Sequence, residues 1–261
     1  MSVLEDTLNH SKSLGIDECE IVIVKKKITT VRITDSEIAE IKQNFDENYG
    51  IRLIHDKKIA SIQTTDKQNI EKTINDAFAT ITNLKPREFW KGLPYKVTVK
   101  ELKGVFDEKL EKISGSNTMD IAQNMINSTY NEKVNTITGS LNIVSEYFEL
   151  ANSNGLNFKD KSTYISGIIN AESEQGNLPV SGIGHVSCRT LSNFSAQQIG
   201  EDAKITCMES INPQKVGSDK YSIIFEPYSV GELLAFVIAS NFDFKTFSEK
   251  ESCFSNNFKK K

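Results

Sequence analysis

The sequence is poor in the residues that do chemistry. Three histidines, His10, His55 and His185, are scattered through 261 residues. None stands four residues from another, the spacing that sets two imidazoles on one helix face. The four cysteines, Cys19, Cys188, Cys207 and Cys253, form no Cys-x-x-Cys pair. They are too few for a disulfide scaffold and read as reduced thiols. No GxSxG, GxxxxGK[ST] or GxGxxG string occurs, which removes the usual signatures of a hydrolase elbow and of phosphate-cradling loops. No run of 18 apolar residues is present, so no transmembrane helix is expected. The opening residues carry acids where a secretory leader carries bases, which points to a cytoplasmic protein. The net charge is −4, an acidic balance that argues against binding nucleic acid through its phosphates.

What is there is enough for a core, since 38% of the residues are hydrophobic. Val3, Leu4, Leu8 and Leu14 keep helical spacing and Gly15 follows as a stop. β-branched residues then dominate 19–24 and 28–33, predicting strand on either side of Lys25-Lys26-Lys27. Alternation predicts strands over 36–45, 49–55 and 58–64, with turns at 46–50 and at Asp56-Lys57. Ile70, Ile74, Ala77, Phe78 and Ile81 predict a helix behind Asp66. Residues 85–104 break the pattern with Pro86, Gly92, Pro94, Trp90 and Gly104. Beyond them the pattern predicts helices over 120–130, 195–210 and 228–239. It predicts strands over 133–137, 141–150, 157–163, 163–172 and 220–226, and a loop over 177–184. Asn152-Ser153-Asn154-Gly155 is the strongest turn signal in the chain, because Asn and Gly tolerate positive φ. The fold class is α+β: an N-terminal helix–antiparallel sheet–helix domain over 1–84, a linker over 85–104, and a strand-rich second domain over 105–261.

Few residues are candidates for a site. His185 and Cys188 stand three apart, but zinc would need two more ligands that no nearby pattern supplies. The cysteines show no neighbouring base that would activate a thiol. Ser181-Gly182-Ile183-Gly184-His185 is expected to be a loop tip. Lys25, Lys26 and Lys27 are expected at a solvated turn or strand edge, and Lys259, Lys260 and Lys261 in a charged tail. These observations alone leave the function open.

Four stretches resemble the TldD/PmbA family, also called the modulator of DNA gyrase family. They are Gly15-Ile16-Asp17-Glu18-Cys19-Glu20-Ile21, the segment from Tyr49-Gly50-Ile51-Arg52 through Ala60-Ser61-Ile62-Gln63-Thr64-Thr65, the Asn152–Gly155 turn, and the run from Ile199-Gly200-Glu201-Asp202-Ala203 through Tyr221–Pro227 to Gly231-Glu232-Leu233-Leu234. The resemblance implies a zinc metallopeptidase system of two related subunits. The TldD-type subunit of that family carries His-Glu-x-x-x-His on a helix that corresponds to 228–239 here. Its motif positions fall on Ala235, Phe236 and Ser240, which cannot replace two zinc ligands and a general base.

The chain therefore resembles the TldE (PmbA) type, with no catalytic and no metal-binding residue of its own. Zinc is expected only in a TldD-like partner subunit. The implied role is to help bind a peptide substrate in such an assembly, with self-association left open beside it. Family members continue with further strand-rich sequence, so the resemblance also implies a C-terminally truncated chain. The alternative function is a stand-alone binding or scaffold protein. An enzyme using its own cysteines or carboxylates ranks last. The apolar residues Leu233, Leu234, Phe236, Val237 and Ile238 predict that the motif helix is buried.

Overall fold

A computed structural model describes residues 2–98, 100 and 102–256. Helix α1 (Val3–Ser13) begins at a capping box: the Glu5 amide donates to Ser2 Oγ, and the Ser2 amide donates to Glu5 Oε2 at 3.0 Å. Strands β1 (Glu18–Thr34), β2 (Glu37–His55) and β3 (Lys58–Thr64) follow, joined by two-residue turns. Asp35 and Ser36 have φ of 51° and 65°, and Asp56 and Lys57 have 50° and 58°, the left-handed pairs that match strand twist in tight hairpins. Helix α2 (Ile70–Ile81) closes this part. Next come the short α3 (Glu108–Glu111), α4 (Gly115–Thr129), β4 (Thr136–Asn152), β5 (Asn157–Ser173), β6 (Val180–Cys188) and α5 (Ala196–Glu209).

The six strands among the described residues form one antiparallel sheet in the order β3-β2-β1-β4-β5-β6. It is a mixed helix and antiparallel-sheet fold, as the α+β expectation had it. Two apolar clusters form on one face of this sheet. The first gathers Leu4, Ile21, Tyr49, Leu53, Ile74 and Ile81 beneath α1 and α2; the second gathers Val31, Leu141, Met125, Ile165, Ile199 and Ala203 beneath α4 and α5. β1 supplies residues to both. The sheet therefore runs without a break from the strands of 18–64 to those of 136–188. Compact packing groups Met1–Pro213 as one unit and Gln214–Lys261 as another.

Several strands are longer than the alternation predicts. The turn expected at 46–50 lies inside β2, the break expected between the strands over 133–137 and 141–150 lies inside β4, and the two strands expected over 157–172 are one. Lys25, Lys26 and Lys27 sit mid-strand in a strand paired on both sides, not at a turn or edge. The reason is long-range: Lys25 meets Glu47 at 2.9 Å and Lys26 meets Glu146 at 2.7 Å across the sheet. Opposite charges on facing strands remove the repulsion that breaks a local lysine run.

The Gly-rich stretch is also strand, not a loop tip. Gly182 and Gly184 lie in β6 under α5, where a Cβ on Gly184 would stand 1.9 Å from the Ile199 carbonyl oxygen and one on Gly182 would stand 2.2 Å from the Cys207 nitrogen. These glycines let helix and strand backbones touch. Gly184→Ala is therefore expected to destabilise the protein by about 1–3 kcal/mol or more through overpacking. Gly231→Ala, in a helix with nothing within 4 Å of the new Cβ, is expected to be neutral or stabilising by up to about 1 kcal/mol. Denaturant melts of the two variants check the contrast.

Candidate functional site

The motif positions lie in the second unit. Helix α6 (Pro227–Glu232) starts with proline at its first turn, where a missing N–H costs nothing. It widens into a π-helical turn over Leu233–Ile238 and tightens over Ala239–Phe242. Ala235 and Phe236 fall on the wide turn and Ser240 on the tight one. Their side chains are a methyl, a phenyl and one hydroxyl, so this donor set does not fit zinc. Among the described residues, no three His, Cys, Asp or Glu side chains gather in a way that could hold a metal ion.

Contrary to the burial expected from its composition, this helix is exposed. Leu234 is 49% and Phe236 81% accessible. Residues 220–226 are not in a strand, and Ile224 is 96% accessible. A strand needs a paired edge for its backbone, and β-propensity alone does not supply one. In the same unit Phe242 stacks on Phe254 at 5.0 Å, and the Asn241 carbonyl accepts from Ser252 Oγ at 2.7 Å. The lysines at 259–261 lie outside the described residues.

The other candidates disperse. His185 and Cys188, three apart in β6, project to opposite faces, so they share no ligand. His185 Nε2 lies 3.3 Å from Ser166 Oγ, and burial lowers its pKa. His10 Nε2 lies 2.9 Å from Asn75 Oδ1 and His55 Nδ1 is 3.6 Å from Asp17. Burial pushes the Cys19 thiol up to about 11 and raises Cys188 and Cys207 as well. These shifts run opposite to what a thiolate nucleophile needs.

One motif does organise its surroundings. The turn between β4 and β5 ties down the proline-containing segment before α3. Asn152 Nδ2 donates to the Pro94 carbonyl at 2.9 Å, while Asn152 Oδ1 accepts from the Asn154 and Leu156 amides at 3.0 and 3.1 Å. Asn154 Nδ2 donates to the Leu93 carbonyl at 2.8 Å. Glu18 completes the knot: its carboxylate accepts from Trp90 Nε1 and from the Leu93 amide, each at 2.8 Å, and from Asn154 Nδ2 at 3.2 Å. Gly155 supplies the positive φ of 81° that turns the chain. The turn was legible as Asn-Ser-Asn-Gly; Glu18 as its partner was not, because 136 residues separate it from Asn154.

This architecture, an antiparallel sheet with helices layered on one face, defines an α+β domain. Residues 19–81 match the family described as PmbA/TldA metallopeptidase domain 1. A curated relative, an uncharacterized protein of Methanocaldococcus jannaschii, is 22% identical over 226 residues, which is 86% of this chain and 51% of that protein. The fold matches a modulator of DNA gyrase from Bacteroides thetaiotaomicron with a TM-score of 0.84 at 18% identity, over 97% of this chain and 59% of that one. It matches TldE from Thermococcus kodakarensis with a TM-score of 0.80 at 17% identity, over 97% and 58%. A modulator of DNA gyrase from Thermotoga maritima gives 0.71 at 20% identity, over 83% and 50%. Residues 19–81 thus match the first domain of that family, and the fold is that of the modulator-of-gyrase and TldE structures. It spans about half the length of the curated relative it matches.

Two variants follow from this geometry. Asn152 is 2% accessible, and Asn152→Ala leaves the Pro94 carbonyl and two turn amides without their partner, at an expected cost of about 1–3 kcal/mol. Because Trp90 is the single tryptophan, release of the knot is read as a change in its fluorescence and as faster proteolysis within 85–104. On the motif helix, Leu234→Ala is expected to shift stability by no more than about 0.5 kcal/mol, since the side chain is half exposed. A denaturant melt checks it.

Proposed function

We propose that this chain acts as the metal-free, TldE-like partner in a two-subunit peptidase system whose zinc is carried by a TldD-like subunit. The observation that carries the reading is the replacement at the motif positions: Ala235, Phe236 and Ser240 stand where His-Glu-x-x-x-His would place two ligands and a base. The fold shared with a TldE structure supports it. In this role the chain contributes binding surface and no chemistry. Its sheet ends in β3 and β6, each paired on one side only, and an open edge takes an extended peptide through backbone hydrogen bonds that tolerate many sequences. The raised thiol pKa values of Cys19, Cys188 and Cys207 fit the same reading, because none is a ready nucleophile.

The test assays this chain, a zinc-motif subunit from the same source, and their mixture for zinc content and peptide cleavage. The expected outcome is no tightly held zinc in this chain, no turnover by it alone, and turnover that rises when the two are combined. About one zinc per chain, or chelator-sensitive cleavage by this chain alone, contradicts the reading.

A further inference from the structure

The helix-bearing face of the sheet has a gap between its two cores. Odd-numbered residues of β1 point to that face: Ile21 and Ile23 into one core, Val31 and Ile33 into the other. Between them stand Lys25 and Lys27. The register puts Phe45 and Ser145 on either side of Lys27, and Glu47 and Tyr147 on either side of Lys25. Facing residues of antiparallel strands share a face, so these six side chains converge. A cleft of about 390 Å³ opens over them. Helix α3 bounds it: Lys27 Nζ donates to the Glu111 carbonyl at 3.0 Å, and the Tyr147 hydroxyl donates to the Glu111 carboxylate.

Three features of the cleft are open to a ligand. Ser145 is only 3% accessible and lines the cleft, yet its hydroxyl makes no hydrogen bond to another described residue. That hydroxyl opens to the cleft, where a ligand can reach it. Lys27 is half-buried, and among the described residues no carboxylate lies within 4.0 Å of its ammonium. Phe45 leaves its ring 73% accessible at the rim. Lys25 and Glu47, by contrast, already neutralise each other at 2.9 Å.

We propose that this cleft binds the zwitterion of an apolar α-amino acid. The remaining poles are one ammonium, on Lys27, and one carboxylate, on Glu111, brought side by side by the hydrogen bond from Lys27 to the Glu111 main chain. A ligand that carries its own carboxylate and ammonium on one carbon matches both poles and adds no net charge. The Ser145 hydroxyl donates to the ligand carboxylate beside Lys27, its direct cross-strand neighbour. The ligand side chain lies against the rings of Phe45 and Tyr147. A plain anion would face the Glu111 carboxylate, and a plain cation the Lys27 ammonium, each at an electrostatic cost. The volume is at the small end for ligand pockets, suited to a single amino acid rather than a long peptide. The site is built from residues of the first unit alone and does not depend on the partner-subunit reading.

The test is calorimetric titration of the full chain with L-leucine and L-phenylalanine, beside leucinamide, which lacks the carboxylate, and N-acetyl-leucine, which lacks the ammonium. The expected result is saturable binding of the amino acids and at least about tenfold weaker binding of both analogues, the loss that one charged hydrogen-bond partner carries. Lys27→Met and Glu111→Gln are expected to weaken leucine binding by a similar factor. Ser145→Ala, which removes only a hydroxyl, tests the same site if either charge variant fails to fold, and is expected to weaken binding several-fold. No saturable binding of either amino acid in the millimolar range overturns the proposal. So does equal binding of N-acetyl-leucine, which would make the cleft an anion site, and so does leucine binding that folded variants leave unchanged.

Discussion

The structure of residues 1–213 depends on the double pairing of β1. Its 17 residues hydrogen-bond to β2 on one side and β4 on the other over nearly their whole length. The N-terminal end of β1 feeds the core under α1 and α2, and its C-terminal end feeds the core under α4 and α5. Its middle must therefore stay extended while carrying three consecutive lysines. Glu47 and Glu146 on the flanking strands make that tolerable. Exposed pairs of this kind contribute about 0–1 kcal/mol each, so their role is to remove repulsion rather than to drive folding. The drive comes from the apolar residues at the two ends.

This arrangement also places the features of functional interest. The Asn152–Gly155 turn lies beside the start of β1, where Glu18 gathers Trp90, Leu93 and Asn154 around one carboxylate. The polar middle of β1 creates the gap between the cores, because side chains that are charged cannot be covered by the apolar undersides of the helices. The segment carrying Ala235, Phe236 and Ser240 belongs to the second unit and presents its apolar side chains to solvent.

Much of the fold was legible in the sequence, and the failures share one cause. Helices α1, α2, α4 and α5 follow from apolar spacing and caps, and the Asp56-Lys57 hairpin follows from its flanking alternation. The strands were read as too many and too short. Lys25–Lys27, Asp46–Gly50 and Thr138–Ser140 look like breaks locally, but each is bridged by a partner strand tens of residues away. Gly182 and Gly184 read as a loop because their function, admitting α5, is invisible until the helix is in place. The motif helix was expected to be buried, since composition reports what a segment is made of and not what covers it. That Ala235, Phe236 and Ser240 offer no zinc ligands is read from the residue types alone. The cleft over Lys27 and Ser145 was not, because it joins residues more than a hundred positions apart.

If β1 does bind both cores into one body, the two ends of the sheet cannot unfold separately. Hydrogen exchange and denaturant unfolding followed at residue level, with Ile74 reporting one core and Ile199 the other, test this directly. The account predicts coincident transitions and matched global protection at both positions. Separate midpoints, with one core persisting after the other has melted, would show that the continuous sheet is not the constraint that holds this protein together.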